Sequence, residues 1–225
     1  MKDTIKPYYA RRAEEYEEIY RKPERQGDLR ELETMLGSAF AGMDVLEIAC
    51  GTGYWTQFIA RSARSIHAVD VNPEVLDLAR RKGCGSCPVT FAVADAFHLE
   101  ELPLRCDAAF CGFWWSHVPL EKLSVFLSGL HARLLPRSKV VMLDNRFVEG
   151  SSTPISRTDA KGNTYQMRRL KDGTDFEVLK NFPMEGEIRA QLEDRGDNLR
   201  IRLLTYYWMA EYNQRTHIFN RLPTG

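Results

Sequence analysis

The chain has 225 residues, enough for one well-buried core, and a single domain is the natural count at that length. Its 31 Lys and Arg balance 31 Asp and Glu, so no overall field draws it to polyanions, and a nucleic-acid partner would need a local basic patch. The opening stretch "MKDTIKPYYARRAEEYEEIY" is charged throughout, no apolar run is long enough to span a bilayer, and the five cysteines read as reduced thiols. A cytoplasmic protein with no membrane contact is expected.

In chain order, "YYARRAEEYEEIYRK" predicts an amphipathic helix with Tyr9, Arg12, Tyr16 and Tyr20 near one face. "DVLEIAC" predicts a first strand, "YWTQFIARSA" a helix, and "SIHAVDV" a second strand. "PEVLDLARRKG" follows as a helix with Pro73 near its start and Gly83 at its end. Cys84 and Cys87 then form a C-x-x-C that would be half of a zinc site or a redox pair. No second C-x-x-C or H-x-x-x-H supplies further ligands, so a glycine-rich turn without a metal is expected. "VTFAVAD" and "CDAAFCGFW" predict strands three and four, "LEKLSVFLSGLHARLL" a helix, and "KVVMLDN" strand five. "TYQMRRLKDGTDFEVLKNF" reads as a hairpin around Asp172-Gly173, "MEGEIRAQLEDRG" as a helix, and "LRIRLLTYYWMAEYN" as one strand. Strands alternating with helices predict a parallel sheet covered on both faces.

The first strand runs into "ACGTGYW". At the carboxyl end of such a strand, Gly51 and Gly53 let the backbone take positive φ and let a ligand approach the main chain, while the next helix offers free N–H groups. Dinucleotides and S-adenosylmethionine both use such a turn. The dinucleotide pattern G-x-G-x-x-G asks for a third glycine or alanine, and Thr56 stands there instead.

Read from the acid, Glu47, Ala49, Gly51 and Gly53 fall on alternate positions, and "LEIACGTG" resembles the first motif of the class I S-adenosylmethionine-dependent methyltransferases, with Ala49 in place of the first glycine. Asp70, ending the second strand, and Asp95, ending the third, match that family's ribose-binding and adenine-binding acids. Val71, Ala96 and Phe97 would cover the adenine ring, and Gly112 would border the cofactor at the fourth strand. The resemblance runs from Tyr8 to Asn145 and through the later order of elements. It implies an α/β fold: a Rossmann-like, doubly wound, seven-stranded, mostly parallel sheet with helices on both faces, plus an N-terminal helical lid and an inserted β-hairpin. The expected layout of the single domain 1–225 is a lid over 1–40, a cofactor-binding core over 41–145, a hairpin insertion over 146–185, and a C-terminal helix and strands over 186–225. As in the lids of small-molecule methyltransferases, Tyr9, Arg12 and Tyr16 would close over the cofactor's carboxylate.

The acceptor side follows the fourth strand in "FCGFWWSHVPLEKL". Methyl transfer is an in-line displacement, so an enzyme mainly aligns its reactants and excludes water, and an acceptor hydroxyl or amine must also lose a proton. His117, with an imidazole that titrates near neutral pH, is the candidate general base, against the alternative of a histidine that caps the next helix or bonds a backbone carbonyl. Trp115, Asn145, Arg146, Tyr165 and Arg168 are the candidate substrate contacts. The expected activity is methyl transfer from S-adenosylmethionine, leaving S-adenosylhomocysteine, to an oxygen or nitrogen of a small, partly aromatic metabolite, with a homodimer allowed. Methylation of nucleic acid or protein is the weaker alternative, since "CGFWW" stands where an N/D-P-P-Y/F motif would be. A non-catalytic module that binds the cofactor is the third.

Overall fold

Short runs rich in Val, Ile and Ala, each leading into a helix or turn, suit strands that are covered on both faces. In the computed structural model, which describes Tyr8 and residues 11–215 (backbone alone for 13–16), these runs are β1 (Asp44–Ile48), β2 (Ser65–Asp70), β3 (Val89–Val93), β4 (Cys106–Gly112) and β5 (Leu134–Asn145). β1 pairs in parallel with β2 and β4, β2 with β3, and β4 with β5. Of the expected lid residues, Tyr9 lies outside the described residues and Tyr16 is described in its backbone alone.

The C-terminal stretch corrects one expectation. "LRIRLLTYYWMAEYN" is not one strand but two, β9 (Gly196–Leu203) and β10 (Tyr207–Gln214), closed by a turn in which the Leu204 N–H donates to Tyr207 O at 2.9 Å. Leu204, Thr205 and Tyr206 include none of the Gly, Pro, Asn or Asp that usually mark a turn, so the apolar pattern runs through it unbroken. β10 lies antiparallel to both β5 and β9, and the order β3-β2-β1-β4-β5-β10-β9 completes a seven-stranded, mostly parallel sheet. The order reverses between β1 and β4, which makes the carboxyl ends of those two strands the switch point where ligands bind in open α/β sheets.

The expected hairpin is present as β7 (Thr164–Arg169) and β8 (Asp175–Leu179), turning at Gly173 with φ +83°. A short strand β6 (Arg157–Thr158) joins it in a separate antiparallel sheet. The segment expected as a lid over 1–40 divides in two. Gln26–Ala39 is an α-helix whose Leu29, Leu32 and Leu36, spaced three and four apart, are fully buried against the sheet with Phe40, so it belongs to the core. Ala13–Arg21, a 3-10 helix, lies over the carboxyl edge of the sheet.

Along β1 the faces alternate. Leu46 and Ile48 join the core that holds Phe126 and Trp208, while Val45 joins the opposite core with Phe40 and Ile59. Glu47 therefore points into the second core, under the glycine turn. All five cysteines are free thiols, and Cys84 and Cys87 occupy a turn after the helix Pro73–Arg80. Among the described residues no helix is long and apolar enough to cross a membrane, and no group of His, Cys, Asp and Glu is placed to hold a metal ion.

Candidate active site

The turn after β1 is a run of left-handed backbone: Ala49, Gly51 and Gly53 have φ of +52°, +55° and +75°. A Cβ on Gly53 would also come within 3.1 Å of Ala79 Cβ, so glycine there lets the helix Pro73–Arg80 pack against the turn. Asp70, at the end of β2, shapes this turn. One carboxylate oxygen accepts the Gly51 N–H at 3.0 Å and the other accepts the Asn72 N–H at 2.9 Å. Burial raises the Asp70 pKa, opposed by those N–H donors.

Glu47 is 1% exposed, and burial, with the nearby Asp70 charge adding to it, pushes its carboxyl up to about 8. The Thr56 side chain opposes that rise. Val71 follows Asp70 and is partly exposed. The Ala94 N–H donates to Asp70 O at 3.0 Å, which ties the exit of β3 to the exit of β2. Just beyond, exposed Asp95 accepts the Phe97 N–H at 2.8 Å, Ala96 is buried, and Phe97 meets Trp114 edge-on at 5.8 Å. At the end of β4, a Cβ on Gly112 would stand 2.9 Å from the Phe110 ring and 3.4 Å from Trp55. Because β1 to β4 are parallel, Glu47, Ala49, Gly51, Gly53, Asp70, Val71, Asp95, Ala96, Phe97 and Gly112 gather along one edge of the sheet.

The 3-10 segment Ala13–Arg21 is fastened to that edge. Thr52 Oγ1, inside the glycine turn, donates to Glu17 Oε1 at 2.8 Å, and Lys82 bonds both Glu17 and the Thr52 carbonyl. Tyr20 stacks on Tyr54 with centroids 3.7 Å apart and planes within 10°, and it also touches Trp55 and Phe113. The hairpin meets the same segment from the other side through Lys171–Glu18 at 2.6 Å, and buried Tyr8 packs among Leu170, Phe176 and Val178. Between segment and hairpin lies a cavity of about 430 Å³, within the range of roughly 300–1,000 Å³ common for small-molecule sites. Phe113, one residue past Gly112, and Asn145, at the end of β5, form its floor, so it adjoins the edge that carries the glycine turn.

Residues 45–137 match the family model for a methyltransferase domain. A solved structure described as "DhpI-SAM-HEP complex" superposes with a TM-score of 0.76 at 26% identity, covering 93% of this chain and 95% of its own. Over these residues the chain is similar to the S-adenosylmethionine-dependent methyltransferases. A ubiquinone biosynthesis O-methyltransferase of Xylella fastidiosa is 28% identical over 166 residues, which are 72% of this chain but 63% of that relative. A malonyl-[acyl-carrier protein] O-methyltransferase of Hamiltonella defensa is 29% identical over 115 residues, 50% of this chain and 41% of its own.

The expected acceptor residues separate. Asn145, Arg168 and the lid's Arg12 line the cavity. Trp115 is buried in the core, edge-on to Trp208 at 5.5 Å, and Arg146 turns away to the Leu204 carbonyl. Tyr165 faces the far side of the hairpin, where its hydroxyl donates to Asp159 and Arg157 lies 3.6 Å over its ring. His117 is buried beside the cavity rather than on its wall, with Nδ1 2.7 Å from Leu179 O. A carbonyl only accepts, so Nδ1 carries the proton. Burial, helped by the charges of Lys180, Arg168 and Arg12, holds the ring neutral, well below the usual imidazole range.

The cavity wall also holds residues that the sequence did not single out. Lys22 and Arg25 come from the stretch after the lid, Ser151 from the loop after β5, and Lys180 from the end of β8. Lys180 is buried in a network: its Nζ donates to Ser116 Oγ at 2.5 Å and lies 3.2 Å from Asp144 Oδ1, while Asp144 also accepts the Ser116 N–H and hydroxyl. Seven cationic side chains line the cavity against three aromatic ones, Tyr8, Phe113 and Phe182. The wall is thus more cationic than aromatic.

Proposed function

We propose that this chain transfers the methyl group of S-adenosylmethionine to an oxygen or nitrogen of a small acceptor held between lid and hairpin. The observation that supports this reading is that the Asp70-shaped glycine turn and a small-molecule cavity lie at the same carboxyl edge of the sheet, with Phe113, one residue past the end of β4, on the cavity wall. The residues fit the cofactor. The left-handed turn leaves no side chain at Gly51 and Gly53, and Asn72 Oδ1 beside it is a buried polar atom without a partner among the described residues. In this reading Asp70 takes the ribose hydroxyls, Asp95 the adenine amino group, and Val71, Ala96 and Phe97 the ring, with Tyr9, Arg12 and Tyr16 toward the amino-acid end. Bound S-adenosylmethionine supplies a methyl on a sulfonium, open to in-line displacement. The protein's part is alignment and exclusion of water, which the packed Tyr20-Tyr54-Phe113 cluster and the hairpin support.

His117 enters this reading as the proton acceptor, its tautomer set by Leu179 so that Nε2 carries the lone pair. Incubation with S-adenosylmethionine and a panel of small acceptors should release S-adenosylhomocysteine. His117→Ala should lower turnover about 100-fold or more while leaving S-adenosylhomocysteine affinity within about twofold. His117→Gln separates base from brace: its amide can still donate to Leu179 O but cannot take a proton. A base role predicts no rescue by Gln, and full rescue would make His117 a positioning residue. Five free thiols support a cytoplasmic location. The cavity size supports a small acceptor over nucleic acid, and a homodimer is compatible with the reading.

A further inference from the structure

The positive charge around the cavity is only partly balanced. Arg169 is paired with Asp175, Lys171 with Glu18, and Lys180 with Asp144. Lys22, Arg25 and Arg168 form no ion pair among the described residues, and their hydrogen bonds go to neutral acceptors. Lys22 donates to the Ser151 carbonyl at 2.6 Å, Arg25 to Ser151 Oγ and Asn145 Oδ1, and Arg168 to Gln166 Oε1 at 2.6 Å. The Arg168 Nε is a buried donor with no acceptor among the described residues.

Such a cluster differs from a solvated charged surface. Arg25 is 7% exposed, and its guanidinium lies over the rings of Tyr206 and Tyr207 at 5.1 and 5.6 Å, so it is fixed in place. The charges also feel one another. Burial lowers the Lys22 pKa, with repulsion from Arg25 and Arg168 adding to it, and burial with those same two arginines brings Lys180 down to about 8 against the pull of Asp144. Like charges held together in a half-buried space are costly unless an anion joins them. The lid-side stretch supplies Lys22 and Arg25, and the hairpin supplies Arg168 and Lys180, so an anion between them would be gripped from two sides.

We propose that the cavity is an oxyanion-binding acceptor site, and that the acceptor is a small molecule bearing a doubly charged oxyanion, phosphoryl or dicarboxylate, held by Lys22, Arg25 and Arg168, with the Asp144-paired Lys180 behind them. Planar guanidiniums suit either group, because two parallel N–H donors match two oxygens on one centre. This deepens the methyl-transfer reading and rests on it for the statement that the bound anion is the acceptor.

Calorimetric titration with inorganic phosphate and with malonate, on the protein alone and on protein saturated with S-adenosylhomocysteine, tests the site. At least one anion should bind at a single site with a dissociation constant of about 1 mM or tighter. Arg168→Gln and Lys22→Met should each weaken it about tenfold or more, Arg168→Lys should fall between, and S-adenosylhomocysteine affinity should stay within about twofold. Preference for phosphate assigns a phosphoryl acceptor, and preference for malonate a carboxylate one. If neither anion binds, or both variants bind as tightly as the wild type, the proposal is overturned. Anion binding without any S-adenosylhomocysteine binding would uphold the anion site and sink the methyl-transfer reading alone.

Discussion

Asp144→Ala is expected to destabilise the fold by about 3–5 kcal/mol at pH 7, because it strands a buried ammonium. Asp144 is fully buried and accepts from the Ser116 N–H at 2.8 Å, the Ser116 hydroxyl at 2.9 Å and the Asn145 N–H at 2.7 Å, besides facing Lys180. A chain of this size loses about 2–4 °C of Tm per kcal/mol, so the melting point should fall by roughly 6–20 °C. The pH dependence has a definite sign. With Lys180 depressed to about 8 in the fold and ordinary when unfolded, the unfolded chain binds more protons between those values, so the penalty for burying this charge is present below about 8 and is relieved as pH rises. Without Asp144 the folded value drops further. The deficit of the variant should therefore be larger at pH 7 than at pH 9, and Lys180→Met added to Asp144→Ala should recover part of it. A Tm within about 2 °C of wild type would contradict the buried pair.

Asp70→Ala should weaken S-adenosylhomocysteine binding by more than about tenfold, since each lost hydrogen bond to a charged group is worth roughly 1.5–3 kcal/mol. Beyond the ribose contact of the proposed function, the carboxylate holds the Gly51 and Asn72 N–H groups, and without it the turn loses the contact that fixes its shape. Asp70→Asn keeps one oxygen acceptor and should fall between alanine and wild type. Calorimetry that finds Asp70→Ala within about twofold of wild type would remove Asp70 from the cofactor site.

What the sequence made legible was whatever depends on neighbours along the chain. β1, β4 and the second half of β5 could be read because a strand buried on both faces is apolar along most of its length, and the glycine turn because left-handed backbone restricts residue type at Gly51 and Gly53. The placement of Asp70 followed from its position at a strand end. What stayed hidden depends on partners far away. Arg25 lies in the charge-rich "RKPER" and reads as surface, yet its neighbours Asn145 and Ser151 are more than 100 residues on and close over it. Lys180 looks like the solvated end of a hairpin until Ser116 and Asp144 are brought to it. Tyr165 and Arg168 stand three apart in β7, but strand alternation sends them to opposite faces, so their residue types could not say which of them meets the cavity. Trp114 and Trp115 posed the same problem, and Trp115 went to the core.

The account rests on the claim that the edge formed by the ends of β1 and β2 holds an adenosyl group, and titration of the wild-type protein with S-adenosylhomocysteine tests it most directly. One site per chain is predicted, with a dissociation constant of about 100 µM or tighter. No heat and no shift in melting temperature at about 1 mM ligand would contradict it.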